Sequence, residues 1–185
     1  VDWAAIFGRQ APIAVEIGFG NGATLVHMAE TRPQWDFIGI EVHRPGIGQL
    51  LRQLQARRLG NVRVIALDAV SVFERHIPEA SLERVLLLFP DPWPKSRHHK
   101  RRIVQRPFVD TVGRRLKAGG MLQVATDWQD YARHILDVMA QAPLFSQLPA
   151  NHWTPSTGRP LTRFEQRGLR LGHRVWEFAF QRVCC

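Results

Sequence analysis

The sequence predicts an α/β fold in which a mostly parallel β-sheet is covered by helices on both faces. Two observations carry this. Short apolar runs alternate with stretches of helical periodicity along the whole chain, and the connections between them are short. Alternation of that kind places helices against both faces of a parallel sheet.

The elements follow in order. Ile13 to Ile17 reads as a short buried strand, and Asn21 to Glu30 as a helix stopped near Pro33. Asp36 to Glu41 is the second strand. Ile47, Leu50, Leu51 and Leu54 fall at helical spacing, with Arg52, Gln53 and Arg57 on the other face. Val62 to Leu67 is the third strand. Val85 to Phe89 is the fourth, continuously apolar as a central parallel strand is. Val109, Val112 and Leu116 mark a helix that Gly119 and Gly120 are expected to end. Met121 to Thr126 is the fifth strand; Tyr131, Ile135 and Met139 mark one more helix. Val175 to Arg182 alternates as a final strand, and Pro149 to Arg170 reads as a long loop before it.

At 185 residues with 45% hydrophobic content, the chain is long enough for one buried core, and a single domain over 1–185 is expected. Further residues are expected ahead of Val1. No apolar run approaches the roughly 20 residues of a membrane span, and no basic-then-apolar leader opens the chain. The only cysteines, Cys184 and Cys185, are adjacent and build no disulfide framework. A cytoplasmic location is the expectation, with no membrane partner and no obligate protein partner evident.

The formal charge is +9, and it is concentrated. Lys95 to Lys117 holds nine Lys or Arg and one acid, Asp110; Arg159 to Arg182 holds six Arg and two Glu. Two dense basic clusters point to a nucleic-acid surface.

Ligands of open α/β sheets bind beyond the carboxyl ends of the strands. There the first strand runs into Glu16-Ile17-Gly18-Phe19-Gly20-Asn21-Gly22-Ala23, and the next three end at Glu41, Asp68 and Asp91. Gly18, Gly20 and Ala23 also fit a dinucleotide fingerprint, with Glu41 near the place of its ribose acid. Electrostatics separates the two readings. A pyrophosphate at this turn would face Glu16. S-adenosylmethionine carries an ammonium and a sulfonium and no phosphate, which suits the acids. Glu41 can accept ribose hydroxyls and Asp68 the adenine amino group.

After the fourth strand comes Pro90-Asp91-Pro92-Trp93-Pro94-Lys95-Ser96-Arg97-His98-His99-Lys100-Arg101-Arg102. Three alternate prolines stiffen the backbone and hold Asp91, Trp93 and Lys95 in fixed relation. An acid beside an aromatic suits a site that grips a flat base. His98 and His99 lack the spacing of a metal site, so no metal is expected.

This stretch resembles the signature of the bacterial tRNA (guanine-N7)-methyltransferases. Ala125-Thr126-Asp127-Trp128 with Tyr131-Ala132 agrees with it. So does Thr162-Arg163-Phe164-Glu165-Gln166-Arg167-Gly168, continuing to Leu171-Gly172-His173. The resemblance runs from Val15 to Phe180, with Ser96 a departure at a position where the family commonly has a basic residue. It implies a Rossmann-like class I methyltransferase fold, with a mostly parallel seven-stranded sheet and an antiparallel last strand. It also implies methyl transfer from S-adenosylmethionine to N7 of a variable-loop guanine in tRNA, releasing S-adenosylhomocysteine. By the same resemblance Glu16, Gly18, Gly20, Glu41, Asp68 and Asp91 hold the cofactor, with Asp91 also catalytic. Lys95, Asp127, Thr162, Arg163, Phe164 and Glu165 are expected at the substrate. Arg97, His98, His99, Lys100, Arg101 and Arg102 are expected on RNA. Asp127 or Glu165 could accept from the guanine N1 and N2 hydrogens, and Trp93 or Phe164 could stack on the base. Rival readings are a small-molecule or protein methyltransferase, an RNA-binding module without activity, and a nicotinamide dehydrogenase.

Overall fold

A computed structural model describes residues 1–149, 162, 165, 166, 170, 172 and 174–183. Its sheet contains seven strands in the order β3-β2-β1-β4-β5-β7-β6. These are β1 (Ile13–Ile17), β2 (Asp36–Ile40), β3 (Val62–Ile65), β4 (Leu82–Leu88), β5 (Leu116–Thr126), β6 (Phe145–Gln147) and β7 (Trp176–Arg182). The first five strands are parallel; β7 runs antiparallel to β5, and β6 antiparallel to β7. The helices are α1 (Trp3–Phe7), α2 (Ala23–Thr31), α3 (Arg44–Ala56), α4 (Ala69–Arg75), α5 (Arg106–Arg115) and α6 (Gln129–Ala140).

Both faces of the sheet are covered, as alternation along buried strands requires. On one face Ala14, Phe37, Leu86 and Ala125 pack with Leu25 and Met28 of α2 and Leu50 and Leu54 of α3. On the other, Val15, Ile38, Val85 and Val124 pack with Phe73 of α4, Val109 and Val112 of α5, and Tyr131 and Ile135 of α6. Chain order reverses between β1 and β4. The glycine turn after β1 and the proline-rich loop after β4 therefore leave the sheet side by side, at the point where open α/β sheets form a crevice.

The structure corrects the sequence reading in places. Gly119 and Gly120 do not end a helix: α5 stops at Arg115, Leu116 opens β5, and both glycines lie inside that strand. The β4–β5 register shifts beside them, between Leu82 and Arg84. Glu41, Leu67 and Phe89 lie just past their strands instead of within them. Helices α1 and α4 and strand β6 were not read from the sequence. Their five, seven and three residues are too short for an apolar period to emerge.

Candidate active site at the carboxyl edge of the sheet

The turn after β1 is built from its own backbone hydrogen bonds. Gly18, Gly20 and Gly22 have φ of 68°, 56° and 77°, which L side chains rarely adopt. The Gly18 amide donates to the Ile40 carbonyl at 2.8 Å, and the Gly22 amide to the Phe19 carbonyl at 2.9 Å. The Gly20 amide donates to Glu41 Oε2 at 3.0 Å, and the Ala23 amide to Asn21 Oδ1 at 3.3 Å. These four amides are thus spent within the protein and are withheld from a pyrophosphate. That wiring counts against a dinucleotide site at this turn.

Helix α3 clamps the same turn. Gln53 Nε2 donates to the Asn21 carbonyl at 2.8 Å. A Cβ on Gly46 would lie 2.1 Å from the Gly20 carbonyl oxygen, so this helix approaches the turn more closely than any side chain permits. Glu41 is equally committed: its Oε1 accepts from the Val42 and His43 amides at 2.8 and 3.0 Å. One lone pair on Oε2 remains for a ligand. Asp68, an exposed residue, caps α4 by accepting from the Ser71 amide at 2.9 Å through Oδ1. Gln53 was not identified from the sequence, where a polar residue on a helix's outer face carries no signal.

These groups surround a cleft of about 690 Å³ lined by Gly18, Gly20, Glu41, Asp68, Asp91 and Arg101, among others. The volume falls within the range of small-molecule sites, roughly 300–1,000 Å³. Positions where Gly18 and Gly20 would carry a Cβ face open space. An adjoining lobe of about 420 Å³ shares Gly18, Gly20 and Phe89 and is lined by Glu16 and Thr162. Glu16 is 3% exposed, inside β1. Five of the six residues expected at the cofactor thus line one cleft, and the sixth, Glu16, lines the lobe beside it. Val42 and Leu67, 66% and 51% exposed, add apolar surface beside Glu41 and Asp68.

The loop that presents Asp91 is strained. Phe89 (φ 53°) and Trp93 (φ 44°) both occupy the left-handed region, and each precedes a proline. Such positions cost on the order of 1–3 kcal/mol each. The loop is held by the Phe89 amide, which donates to the Ala125 carbonyl at 2.8 Å, and by Arg102 Nε, which donates to the Pro92 carbonyl at 2.9 Å. The Trp93 ring already lies under the Arg101 guanidinium at 4.9 Å and meets the edge of His98 at 5.9 Å. One face of the ring is thereby covered, and the half-buried Trp93 also lines the cleft.

A 3₁₀ turn spans Ser96–Arg101. Lys95, Arg97, Lys100 and Arg101 are exposed there, and His98 and His99 are half-buried. Arg102 departs from the expected RNA contact. Its side chain is 1% exposed and is spent on Pro92, His99 and Asp130. Asp127 follows β5 at the same edge of the sheet. Thr162 and Glu165 pair reciprocally: the Glu165 amide donates to Thr162 Oγ1 at 3.1 Å, and the Thr162 amide to Glu165 Oε2 at 3.2 Å. This is the hydrogen bonding of a capping box. With Glu165 2% exposed, backbone capping accounts for a carboxylate expected on the guanine. Arg163 and Phe164 lie outside the described residues.

Among the described residues three titrating groups depart from their ordinary values. Burial, with the nearby Arg32 charge, lowers the Arg84 guanidinium to about 10. The hydrogen bond from Arg102 holds the Asp130 carboxyl below the usual carboxylate range. Burial pushes the Tyr131 phenol up to about 12. Among the described residues no group of three or more His, Cys, Asp or Glu side chains could hold a metal ion, and no helix is long and apolar enough to cross a membrane.

Comparison with known proteins agrees with this architecture. A family described as "Putative methyltransferase" matches residues 10–178. A tRNA (guanine-N(7)-)-methyltransferase of Sodalis glossinidius is 54% identical over 185 residues, covering 99% of this chain and 77% of that protein. One from Pseudomonas aeruginosa is 54% identical over 184 residues, covering 98% and 75%. Among solved structures, an rRNA methylase from Streptococcus thermophilus superposes with a TM-score of 0.63 at 13% identity, covering 94% of this chain and 88% of its own, which speaks to the fold alone. With matching sequence across almost its whole length, and with three strand-end acids around one cleft and a fourth in the lobe beside it, the chain belongs to the family of tRNA (guanine-N(7)-)-methyltransferases.

Proposed function

We propose that this chain methylates N7 of a variable-loop guanine in tRNA, with S-adenosylmethionine as donor and Asp91 at the reaction centre. The observation that carries the reading is the cleft itself, in which a turn with its glycine amides bonded within the protein is ringed by Glu41, Asp68 and Asp91. Such a site fits a cationic ligand without phosphates. Glu41 and Asp68 suit the hydroxyl and amino groups of a nucleoside, and Val42 and Leu67 its flat faces. Glu16, in the adjoining lobe, suits the ammonium. Bound there, the donor supplies an electrophilic methyl group on a sulfonium.

Guanine N7 offers a lone pair without prior deprotonation, so the protein's part is orientation and charge stabilisation. Asp91 supplies the charge, because the purine becomes cationic as N7 is methylated. Its backbone is fixed before substrate arrives, by two flanking prolines and by the Arg102 bond to Pro92. Asp127, at the end of the neighbouring strand, is assigned to the guanine N–H edge. Lys95, Arg97, Lys100 and Arg101 hold phosphates and set the register of the RNA without reading sequence.

The test is transfer from labelled S-adenosylmethionine to unmodified tRNA, followed by nucleoside analysis, with Asp91→Asn beside the parent chain. Label in 7-methylguanosine is expected, together with a fall in kcat of about 10²–10³-fold for the variant, as for other single charge-stabilising groups. Asp91→Asn at parental turnover would remove Asp91 from the reaction centre. Label absent from 7-methylguanosine with bound cofactor would overturn the substrate.

A further inference from the structure

Arg102 sits in the basic run that follows the proline-rich loop, yet it makes no use of solvent. Its side chain is 1% exposed. Nε donates to the Pro92 carbonyl at 2.9 Å, one peptide beyond Asp91. Nη2 donates to Asp130 Oδ2 at 2.5 Å and lies 3.0 Å from His99 Nε2. The guanidinium plane rests 4.9 Å from the centre of the Tyr131 ring. Asp130 and Tyr131 open α6, three and four residues after Asp127. One planar cation thus joins the loop after β4 to the helix after β5, and with them the two acids assigned above to charge stabilisation and to the guanine edge.

The join has a reason to exist. Phe89 and Trp93 hold left-handed backbone on either side of Asp91, a conformation that relaxes unless something outside the loop opposes it. The bond to Pro92 lies between those two residues and is anchored in the core, not in the loop. We propose that Arg102 is a positioning residue of the reaction: it fixes the Pro92 carbonyl against the start of α6 and so sets Asp91 relative to Asp127. The role calls for a guanidinium. A forked donor can satisfy a carbonyl and a carboxylate at once and lie flat on a ring, whereas an ammonium is a point charge on a flexible stem.

The proposal rests on Asp91 being at the reaction centre, so Asp91→Asn is measured in the same assay. Arg102→Lys keeps the charge and loses the fork. A misplacement near 1 Å is worth about 10²-fold in rate, so kcat is expected to fall about 10- to 100-fold, with KM for tRNA and cofactor affinity near parental. Asp130→Ala removes an exposed partner and leaves Arg102 packed on Tyr131 and Pro92. Its kcat is expected to fall less, by about 3- to 10-fold, again at unchanged KM. Rates are normalised to cofactor-binding sites, so that a merely less stable fold is not counted as a slower one. A raised KM for tRNA at unchanged kcat in Arg102→Lys would make Arg102 an RNA contact and overturn the proposal. Parental kcat in Asp130→Ala would overturn it too, and decides the matter alone if Arg102→Lys does not fold. An Asp91→Asn variant at full activity, by contrast, sinks the reading of the site on which the proposal stands.

Discussion

At the scale of single residues, the cleft owes its chemistry to what its groups have already given away. Glu41 spends three of its roughly four acceptor positions on the amides of Gly20, Val42 and His43. It is a structural tie first and a ligand second, which explains how a half-exposed acid keeps one orientation. Gly46 is the opposite case, a residue whose contribution is having no side chain. Gly46→Ala is expected to push α3 off the Gly20 carbonyl and weaken S-adenosylmethionine binding at least about tenfold, the equivalent of about 1.4 kcal/mol. Isothermal titration checks this; parental affinity would mean that the turn yields freely. Tyr131 is the only tyrosine, so its ionisation is read directly by tyrosinate absorbance. In the folded protein the band is expected only as pH nears about 12, against about 10 in denaturant. The sign follows from linkage: a raised folded value adds stability that is complete below pH about 10 and lost as pH climbs through about 12. A folded-state titration near 10 would contradict the burial.

At the scale of elements, the strands were the most legible part of the sequence. Val85 to Leu88 is an unbroken apolar run because both its faces are buried, and β1 and β2, buried throughout, show shorter runs interrupted only by Glu16 and opened by Asp36. Helices long enough to show a stripe, such as α3 and α6, were legible for the mirror reason. Helix α4 was hidden because only Val72 and Phe73 are buried in its seven residues, and Asp68 as its cap looks the same as Asp68 as a ligand. Gly119 and Gly120 misled because glycines after an apolar helix face ordinarily stop a helix, whereas here they sit in a strand beside a register shift. The acids and glycines that line the cleft and its lobe were legible because their strand ends share one edge. Arg102 was not: only tertiary packing separates a buried arginine from its exposed neighbour Arg101.

At the scale of the whole molecule, charge and fold divide the labour. The sheet carries its acids to one edge, and the basic 3₁₀ turn Ser96–Arg101 stands over that edge. Excess positive charge of +9 draws a polyanion from a distance, while the cleft selects what enters. Binding of tRNA is therefore expected to weaken steeply with salt. Replacing Lys95, Arg97, Lys100 and Arg101 by Ala should flatten the slope of log K against log salt by up to about three, at roughly 0.7–0.9 per released counterion. Filter binding across a salt series measures it. An unchanged slope would place the RNA on another surface.

The backbone at Phe89 and Trp93 has an evolutionary consequence. Glycine would occupy either position with less strain, yet two bulky aromatics stand there. Mutational drift toward stability has an easy route through this loop, and each step along it would loosen the peptide that carries Asp91. The loop is thus a place where thermal robustness and turnover pull against each other, and where a laboratory search for hardier variants would find them at the expense of rate.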